Sequence, residues 1–131
     1  MASIHKRLAV HVPVDKAWAS LRHVANAHQL FAPVLTGASL DGGMRTVTFA
    51  NGLVVRERIV DIDDENRRVV YSATDVPGMT YHHASMQMLE ARDGGSEFVW
   101  ITDFLPAGMA DTIGPLIDQG AQALKKNLEA R

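Results

Sequence analysis

The C-terminal residues carry the pattern that most constrains the fold. Between Ala107 and Ala130, apolar residues recur at steps of three and four, which places them on one face of a single helix. These residues are Met109, Ile113, Leu116, Ile117, Gly120, Ala121, Leu124 and Leu128. Charged and amide side chains fall mainly on the other faces, so the rest of the chain must cover one side of this helix. Gly120 and Ala121 allow close approach of a sheet, and Pro115 predicts either a kink or the true first turn.

The residues before this helix mostly follow the pattern of short strands. Apolar and polar side chains alternate from Ile4 to Val12, and Pro13 ends the first strand. Two short helical segments follow, at about 14–23 and 26–31. Turn sequences then recur and separate six strands near 34–41, 44–50, 53–62, 67–75, 80–91 and 96–105. We therefore predict an α+β fold in which a seven-stranded, curved antiparallel sheet surrounds a long C-terminal helix.

The composition excludes several classes of function. The chain has 131 residues, 47% of them hydrophobic, which fits one domain over residues 1–131. A net charge of −2 gives no basic surface for nucleic acid. The absence of cysteine excludes disulfides, thiolate metal sites and cysteine nucleophiles. Because no apolar run is long enough for a signal peptide or a membrane span, we expect a cytoplasmic protein.

The pairing register of one hairpin can be assigned from the sequence. A three-residue loop, Ala50 to Gly52, with Gly52 in the left-handed conformation, pairs Phe49 with Leu53 and Val47 with Val55. This register sorts apolar from polar side chains better than a two-residue Asn-Gly turn does. It also places Arg45 opposite Glu57 on the face that looks toward the long helix.

The same alternation assigns the inner faces of the later strands. His82 lies on the same inner face of its strand as Met86 and Met88, and Tyr71 lies on the same inner face as Val69. In the last strand both faces are apolar, and we assign the aromatic side to the interior. The candidate ligand-binding lining is Phe49, Val55, Met86, Met88, Trp100, Phe104, Met109 and Ile113. Such a lining is most often simple core, although methionine side chains also adapt to irregular ligands.

The order of these elements resembles a known superfamily. The matching segments are Val12-Pro13-Val14 with Ala17-Trp18, Gly43 to Thr46, Gly52 to Ile59, Arg67 to Ser72, and Phe98 to Trp100. One strand, two short helices, six strands and a long helix are similar to the helix-grip fold of the SRPBCC superfamily. That superfamily includes START lipid-transfer domains, birch pollen allergens and polyketide cyclase/dehydratase proteins, and the chain looks like a small bacterial member of the last group.

This resemblance implies a deep apolar cavity that binds a hydrophobic or aromatic small molecule. It also implies that catalysis, where present, is cyclisation or dehydration of a carbonyl compound. Glu57 would then be the acid or base, Arg45 the oxyanion partner, and His82 or Tyr71 a second proton relay. The alternatives are a non-catalytic lipid or metabolite carrier and a partner-binding module.

Each candidate residue also has a purely structural interpretation. Arg45 and Glu57 can be a cross-strand ion pair that fixes the hairpin, and His82 a hydrogen-bonded wall residue. Tyr71 can donate to a neighbouring backbone group. His82 and His83 are adjacent on a strand and point to opposite faces, so we expect no metal site, and no cofactor is implied. Ligand identity and homodimer formation are left open by the sequence.

Overall fold

The computed structural model describes residues 2–131 and arranges them as a curved sheet around one long helix. The strands are β1 Ser3–Val10, β2 Leu35–Asp41, β3 Met44–Phe49, β4 Val54–Asp63, β5 Arg68–Thr74, β6 Tyr81–Glu90 and β7 Ser96–Leu105. The α-helices are α1 Val14–Leu21, α2 Ala27–Leu30 and α3 Ala110–Glu129, with 3-10 turns at Val24–Asn26 and Ala107–Met109.

The seven strands form one antiparallel sheet in the order β1-β7-β6-β5-β4-β3-β2. Strands β2 to β7 pair with their neighbours along the chain, and β1 returns to pair with β7. The short helices lie between β1 and β2, as the sequence predicted. The helix-grip fold inferred from the sequence is confirmed.

The predicted register of the β3–β4 hairpin is also confirmed. Val47 pairs with Val55 and Arg45 with Glu57, and the backbone N–H of Phe49 donates to the carbonyl of Leu53. Gly52 has a φ of +90°, a conformation that glycine adopts without steric cost. The loop chemistry therefore fixes which side chains of both strands face α3.

Helix α3 packs tightly along its second half. Ala121 and Leu124 are fully buried, Ile117 and Leu128 almost so. At Gly120 an added Cβ would lie 3.1 Å from the Trp100 indole, which explains why glycine stands where the helix crosses the sheet. We call residues 117–128 with the strands beneath them the closed end.

The first half of α3 is less covered. Met109, Ile113 and Leu116 are only half-buried, although they belong to the same apolar stripe. Pro115 is the sixth residue of the helix rather than part of its first turn, so one intrahelical hydrogen bond is missing there. We call residues 109–116, the hairpin tip 49–54 and the loop 75–80 the open end.

Candidate functional site

A cavity of about 180 Å³ lies between the sheet and the first half of α3. Its deep wall includes the buried residues Trp100 and Ile117, whereas Leu53 and Thr112 in the lining are exposed. The cavity therefore opens to solvent at the open end. Most of its wall is apolar and comes from α2, β3 to β7 and α3.

Six of the eight predicted ligand-binding residues line this cavity. They are Phe49, Val55, Met86, Trp100, Met109 and Ile113. Met88 and Phe104 do not line it: both are on the inner face of their strands but are only 1% exposed, packed in the protein interior. Alternation along a strand gives the face of a residue, not its distance from the cavity mouth.

Arg45 and Glu57 form an ion pair in the cavity wall. The Arg45 Nε donates to Glu57 Oε1 over 3.0 Å, and Arg45 Nη2 lies 2.9 Å from the same oxygen. Arg45 Nη1 donates to the carbonyl of Val24 over 3.2 Å, which ties the pair to the segment after α1. The guanidinium carbon also lies 5.3 Å from the centre of the Tyr71 ring. Three of the arginine's N–H groups are thus already engaged by the protein.

The second carboxylate oxygen of Glu57 is differently placed. Among residues 2–131, the hydrogen bond that Glu57 accepts goes to Oε1, and none goes to Oε2. Burial raises the pKa of Glu57 above its ordinary value, and this outweighs the opposing effect of Arg45. A carboxyl group with a raised pKa and one free oxygen in an apolar cavity is suited to proton transfer.

Tyr71 and Trp100 are joined on the cavity wall. The Trp100 Nε1–H donates to the Tyr71 hydroxyl oxygen over 3.1 Å. Burial, with the nearby Glu57 carboxylate, raises the pKa of Tyr71, so the hydroxyl keeps its proton. Tyr71 is consequently a hydrogen-bond donor whose own hydrogen has no acceptor in the part of the chain that the structure describes.

His82 is built into the edge of the pairing between β5 and β6. Its Nδ1 accepts a hydrogen bond of 2.8 Å from the backbone N–H of Ala73, and Ser72 Oγ donates to the His82 carbonyl. Burial, helped by His83, lowers the pKa of His82 to about 4. The ring is therefore neutral near pH 7 with its proton on Nε2. This arrangement favours a hydrogen-bond donor over the proton relay expected from the sequence.

A second, more polar cleft of about 250 Å³ adjoins the cavity. Both share Ala73, Val76, Met79 and His82 in their linings. His82 thus lies at the boundary between the apolar cavity and the polar cleft beside loop 75–80.

The comparison of sequences identifies the family. A family model described as "Polyketide cyclase / dehydrase and lipid transport" matches residues 1–129. The chain belongs to this family. The SRPBCC resemblance drawn from the sequence is confirmed by this match and by the solved structures below. A search of curated proteins gave no match.

Solved structures show the fold of this polyketide cyclase/dehydrase family member in other proteins. An uncharacterised protein from Bacillus thuringiensis is 17% identical, with a TM-score of 0.87 over 97% of this chain and 98% of its own. The di-domain ARO/CYC protein BexL from the BE-7585A biosynthetic pathway is 14% identical, with a TM-score of 0.84 over 98% of this chain and 47% of its own. A START superfamily protein from Mycobacterium smegmatis is 10% identical, with a TM-score of 0.79 over 98% and 97%.

Several cavity residues of this family member were missed by sequence reasoning. Among them are Phe31, which directly follows α2, and Val76 and Met79 in the loop before β6. Loop residues follow no period, so the sequence held no signal for them. Thr102 also lines the cavity, and its hydroxyl is buried without a hydrogen-bond partner among the described residues. Alternation along the strand could have identified Thr102, because it lies on the face already assigned to the interior.

Two further observations concern other classes of site. Within residues 2–131, no group of three or more histidine or acidic side chains is placed to hold a metal ion. None of the helices described combines the length and apolar character needed to cross a membrane.

Proposed function

We propose that this protein binds a hydrophobic or aromatic small molecule in the cavity at the open end. The observation that carries the proposal is an apolar space of about 180 Å³ with a mouth to solvent. A dry apolar cavity of about 150 Å³ is large enough to hold benzene. An aromatic group therefore fits inside, and the remainder of a larger ligand can extend through the mouth.

The uneven packing of the protein supports a binding role. Protein interiors are close-packed, and unfilled space lowers stability. This chain fills the core around Leu124 and Leu128 but leaves room beside Met86 and Met109, whose flexible side chains adapt to ligand shape. A module that only bound partner proteins through its outer sheet would need no such space.

Binding can be tested with 2-naphthol by native mass spectrometry. At about 0.6 kcal/mol for each non-hydrogen atom, a ligand of this size binds with a Kd of roughly 10–100 µM. Ile113→Trp places an indole in the lining and should weaken binding at least about tenfold. Gln122→Trp, on the exposed face of the same helix, should leave binding unchanged. Equal affinity in the two variants would place the ligand elsewhere, and no binding by the parent protein would end the proposal.

A second function, acid–base catalysis on a carbonyl compound, is supported by the free oxygen of Glu57. We propose that Glu57 Oε2 removes or returns a proton beside a bound carbonyl while Tyr71 and His82 donate hydrogen bonds to its oxygen. Arg45 would position Glu57 rather than contact the developing oxyanion, since three of its N–H groups are engaged. Such chemistry would be of the cyclisation or dehydration type.

Exchange of the α-hydrogens of 2-tetralone for deuterium in D₂O is a direct probe of this chemistry. The protein should accelerate the exchange, and Glu57→Gln should reduce the acceleration by about a hundredfold while 2-naphthol still binds. Glu90→Gln, at an exposed position on β6, is the matched control. Unchanged exchange in Glu57→Gln would exclude Glu57 as the base. No acceleration by the parent protein would leave a non-catalytic carrier of lipids or metabolites.

A further inference from the structure

The pairing of β5 with β6 stops before the two strands do. The last pair between them is Tyr71 with Ala84. β5 nevertheless continues to Thr74 and β6 begins at Tyr81, and over these residues each strand stays paired with its other neighbour. The two strands therefore separate at the open end, and the polar cleft lies beside the gap between them.

The imidazole of His82 bridges this gap. Extended by two residues, the register of the two strands would place Ala73 opposite His82. Instead of a backbone pair, the N–H of Ala73 donates to His82 Nδ1 over 2.8 Å, and Ser72 Oγ donates to the His82 carbonyl oxygen over 2.6 Å. Two bonds to side-chain atoms thus satisfy backbone groups that the ladder leaves unpaired.

The loop beyond this bond, residues 75–80, forms one side of the cavity mouth, and we call it the strap. Val76 and Met79 of the strap line the apolar cavity. A Cβ on Gly78 would lie 3.6 Å from the sulfur of Met109, so the strap reaches the turn before α3. A movement of the strap would therefore change the width of the mouth.

The two ends of the strap are held differently. At its second end, the backbone N–H of Thr80 donates to the carbonyl of Leu105 over 2.8 Å, and neither group titrates. At its first end, Asp75 has a φ of +58°, which costs free energy in a residue other than glycine. The bond that joins β5 to β6 next to Asp75 is the one from Ala73 to His82. The first end is therefore the end that can be released.

We infer that His82 is a proton-sensitive latch that holds the strap over the cavity and releases it when the ring is protonated. Nδ1 accepts the Ala73 N–H only while it carries no hydrogen of its own, and an imidazolium has a hydrogen on both nitrogens. Protonation therefore removes the bond and leaves two N–H groups facing each other. Release of the strap joins the polar cleft to the apolar cavity, which already share part of their linings.

Several titratable or charged side chains surround the ring. They are His83 and Asp103 beside it on the sheet, Asp75 in the cleft, and Glu57, Arg45 and Tyr71 in the cavity. The residues of α3 that line the cavity are uncharged. Burial has the largest effect and lowers the pKa of His82 to about 4, with His83 opposing the charge and Asp103 favouring it. The latch is therefore closed at pH 7, and acid favours the released state, in which His82 is in solvent with an ordinary pKa of about 6.5.

Hydrogen exchange of the Ala73 amide, followed by ¹H–¹⁵N spectra, tests the latch. The two pKa values make release about twentyfold more favourable at pH 5 than at pH 7, so the protection of this amide should decrease by that factor. Low concentrations of urea should leave it unchanged, because local release exposes little surface. The reference is the Met88 amide, which donates to the Arg67 carbonyl over 3.0 Å at the far end of the same ladder. Equal protection and equal urea dependence of both amides would show that Ala73 exchanges only by global unfolding and would overturn the inference.

Three variants assign the effect to the ring. In His82→Asn the change between pH 5 and pH 7 should disappear, whereas His5→Asn, at an exposed position on β1, should retain it. Ser72→Ala should lower the protection of Ala73 at both pH values and keep their ratio, because the bond it removes does not titrate. A twentyfold change that persists in His82→Asn would exclude the latch. In the parent, a ¹⁵N–¹⁵N coupling between Ala73 and His82 Nδ1 should be present at pH 7, and its absence would exclude the bond itself.

The effect of the strap on the cavity rests on the proposed function and has its own measurement. Dissociation of 2-naphthol, followed by stopped-flow fluorescence of Trp100 in Trp18→Phe, should be about twentyfold faster at pH 5 than at pH 7 and should lose this dependence when His82→Asn is added. Equal dissociation rates with a working latch would show that the strap does not control the mouth. If 2-naphthol does not bind, the proposed function is wrong, and the exchange of Ala73 still decides whether the latch exists.

Discussion

The two halves of α3 lie against the same sheet but differ in how closely they pack on it. At the closed end, Leu124 is fully buried and Gly120 lets the helix approach Trp100 closely. At the open end, Leu116 and Ile113 carry the same apolar character but border a cavity and are half-buried. One helix therefore stabilises the fold with its second half and leaves space for a ligand with its first.

The polar residues divide in the same way. The most buried residues of the closed end, Ala121, Leu124 and Leu128, are apolar. In contrast, the cavity lining includes Arg45, Glu57, Tyr71, His82 and Thr102. Burying such groups lowers stability unless they are paired, and Arg45 with Glu57, Tyr71 and His82 each have a partner within the protein. The following predictions measure this difference, beginning with the largest effect.

Replacement of Arg45 should lower the free energy of unfolding more than any other change considered. Arg45→Met leaves the Glu57 carboxylate buried without its partner, and we expect a loss of about 4 kcal/mol in the free energy of unfolding near pH 7. The loss should be smaller at pH 5. Without Arg45 the pKa of Glu57 rises further above its unfolded value, and a raised carboxyl pKa contributes stability at low pH that is lost as the pH increases.

Urea denaturation at the two pH values measures this loss. Arg7→Met is the control, because Arg7 forms an exposed cross-strand pair with Glu97 at 3.0 Å and should cost about 0.5 kcal/mol or less. Losses of similar size from the two variants would show that the Arg45–Glu57 pair is effectively exposed.

Truncation of one leucine at each end compares the two halves of α3 directly. Leu124→Ala should lower the free energy of unfolding by about 3 kcal/mol, because it leaves a cavity in a filled core. Leu116→Ala should cost about 1 kcal/mol, since one side of Leu116 already faces open space. Chemical denaturation measures both, and equal losses would contradict the distinction between the ends.

The open end should also determine how stability responds to acid. The pKa of His82 is about 4 in the folded protein, below the value of an unfolded histidine. As the pH falls from about 6.5 to 4, the unfolded chain takes up a proton first, and stability that was present above pH 6.5 is lost. His82→Asn keeps an acceptor for the Ala73 N–H but cannot be protonated. Between pH 6.5 and 4, the free energy of unfolding of this variant should therefore decrease by on the order of 1 to 2 kcal/mol less than that of the parent protein. If the stabilities of the two proteins change in parallel with pH, His82 is not the cause.

The smallest predicted difference concerns two glycines of α3. Gly114→Ala should increase stability by about 0.5 to 1 kcal/mol, because the nearest atom to the new Cβ is 4.0 Å away. Gly120→Ala has the same helical benefit, but its Cβ would lie 3.1 Å and 3.2 Å from two atoms of the Trp100 ring. It should be at least about 1 kcal/mol less stable than Gly114→Ala. Equal thermal stability of the two variants would show that the helix does not pack tightly there.

Much of the fold could be predicted because its signals are local. Helical spacing gave α3 and its buried stripe, and the position of Gly52 in a turn gave the pairing of Arg45 with Glu57. The register shift between Ile59 and Asp61 in β4 was not predicted. A bulge inserts one residue without changing the character of the sequence around it.

The candidate site was less accessible to sequence reasoning. Alternation placed Met88 and Phe104 on the correct face but could not show that they lie outside the cavity. The tautomer of His82 follows from its bond to Ala73, and the unpaired state of Thr102 follows from everything around it. Such properties depend on three-dimensional surroundings that no periodicity encodes.

The two tryptophans provide the most direct test of the central claim, that the open end is a ligand-binding cavity and the closed end a filled core. Trp100 lines the cavity, whereas the Trp18 Nε1–H is bonded to Asp64 outside it. In a ¹H–¹⁵N spectrum, with Trp18→Phe assigning the two indole signals, addition of 2-naphthol should shift the Trp100 indole signal in a saturable way and leave the Trp18 signal in place. No shift, or equal shifts of both signals, would contradict the account.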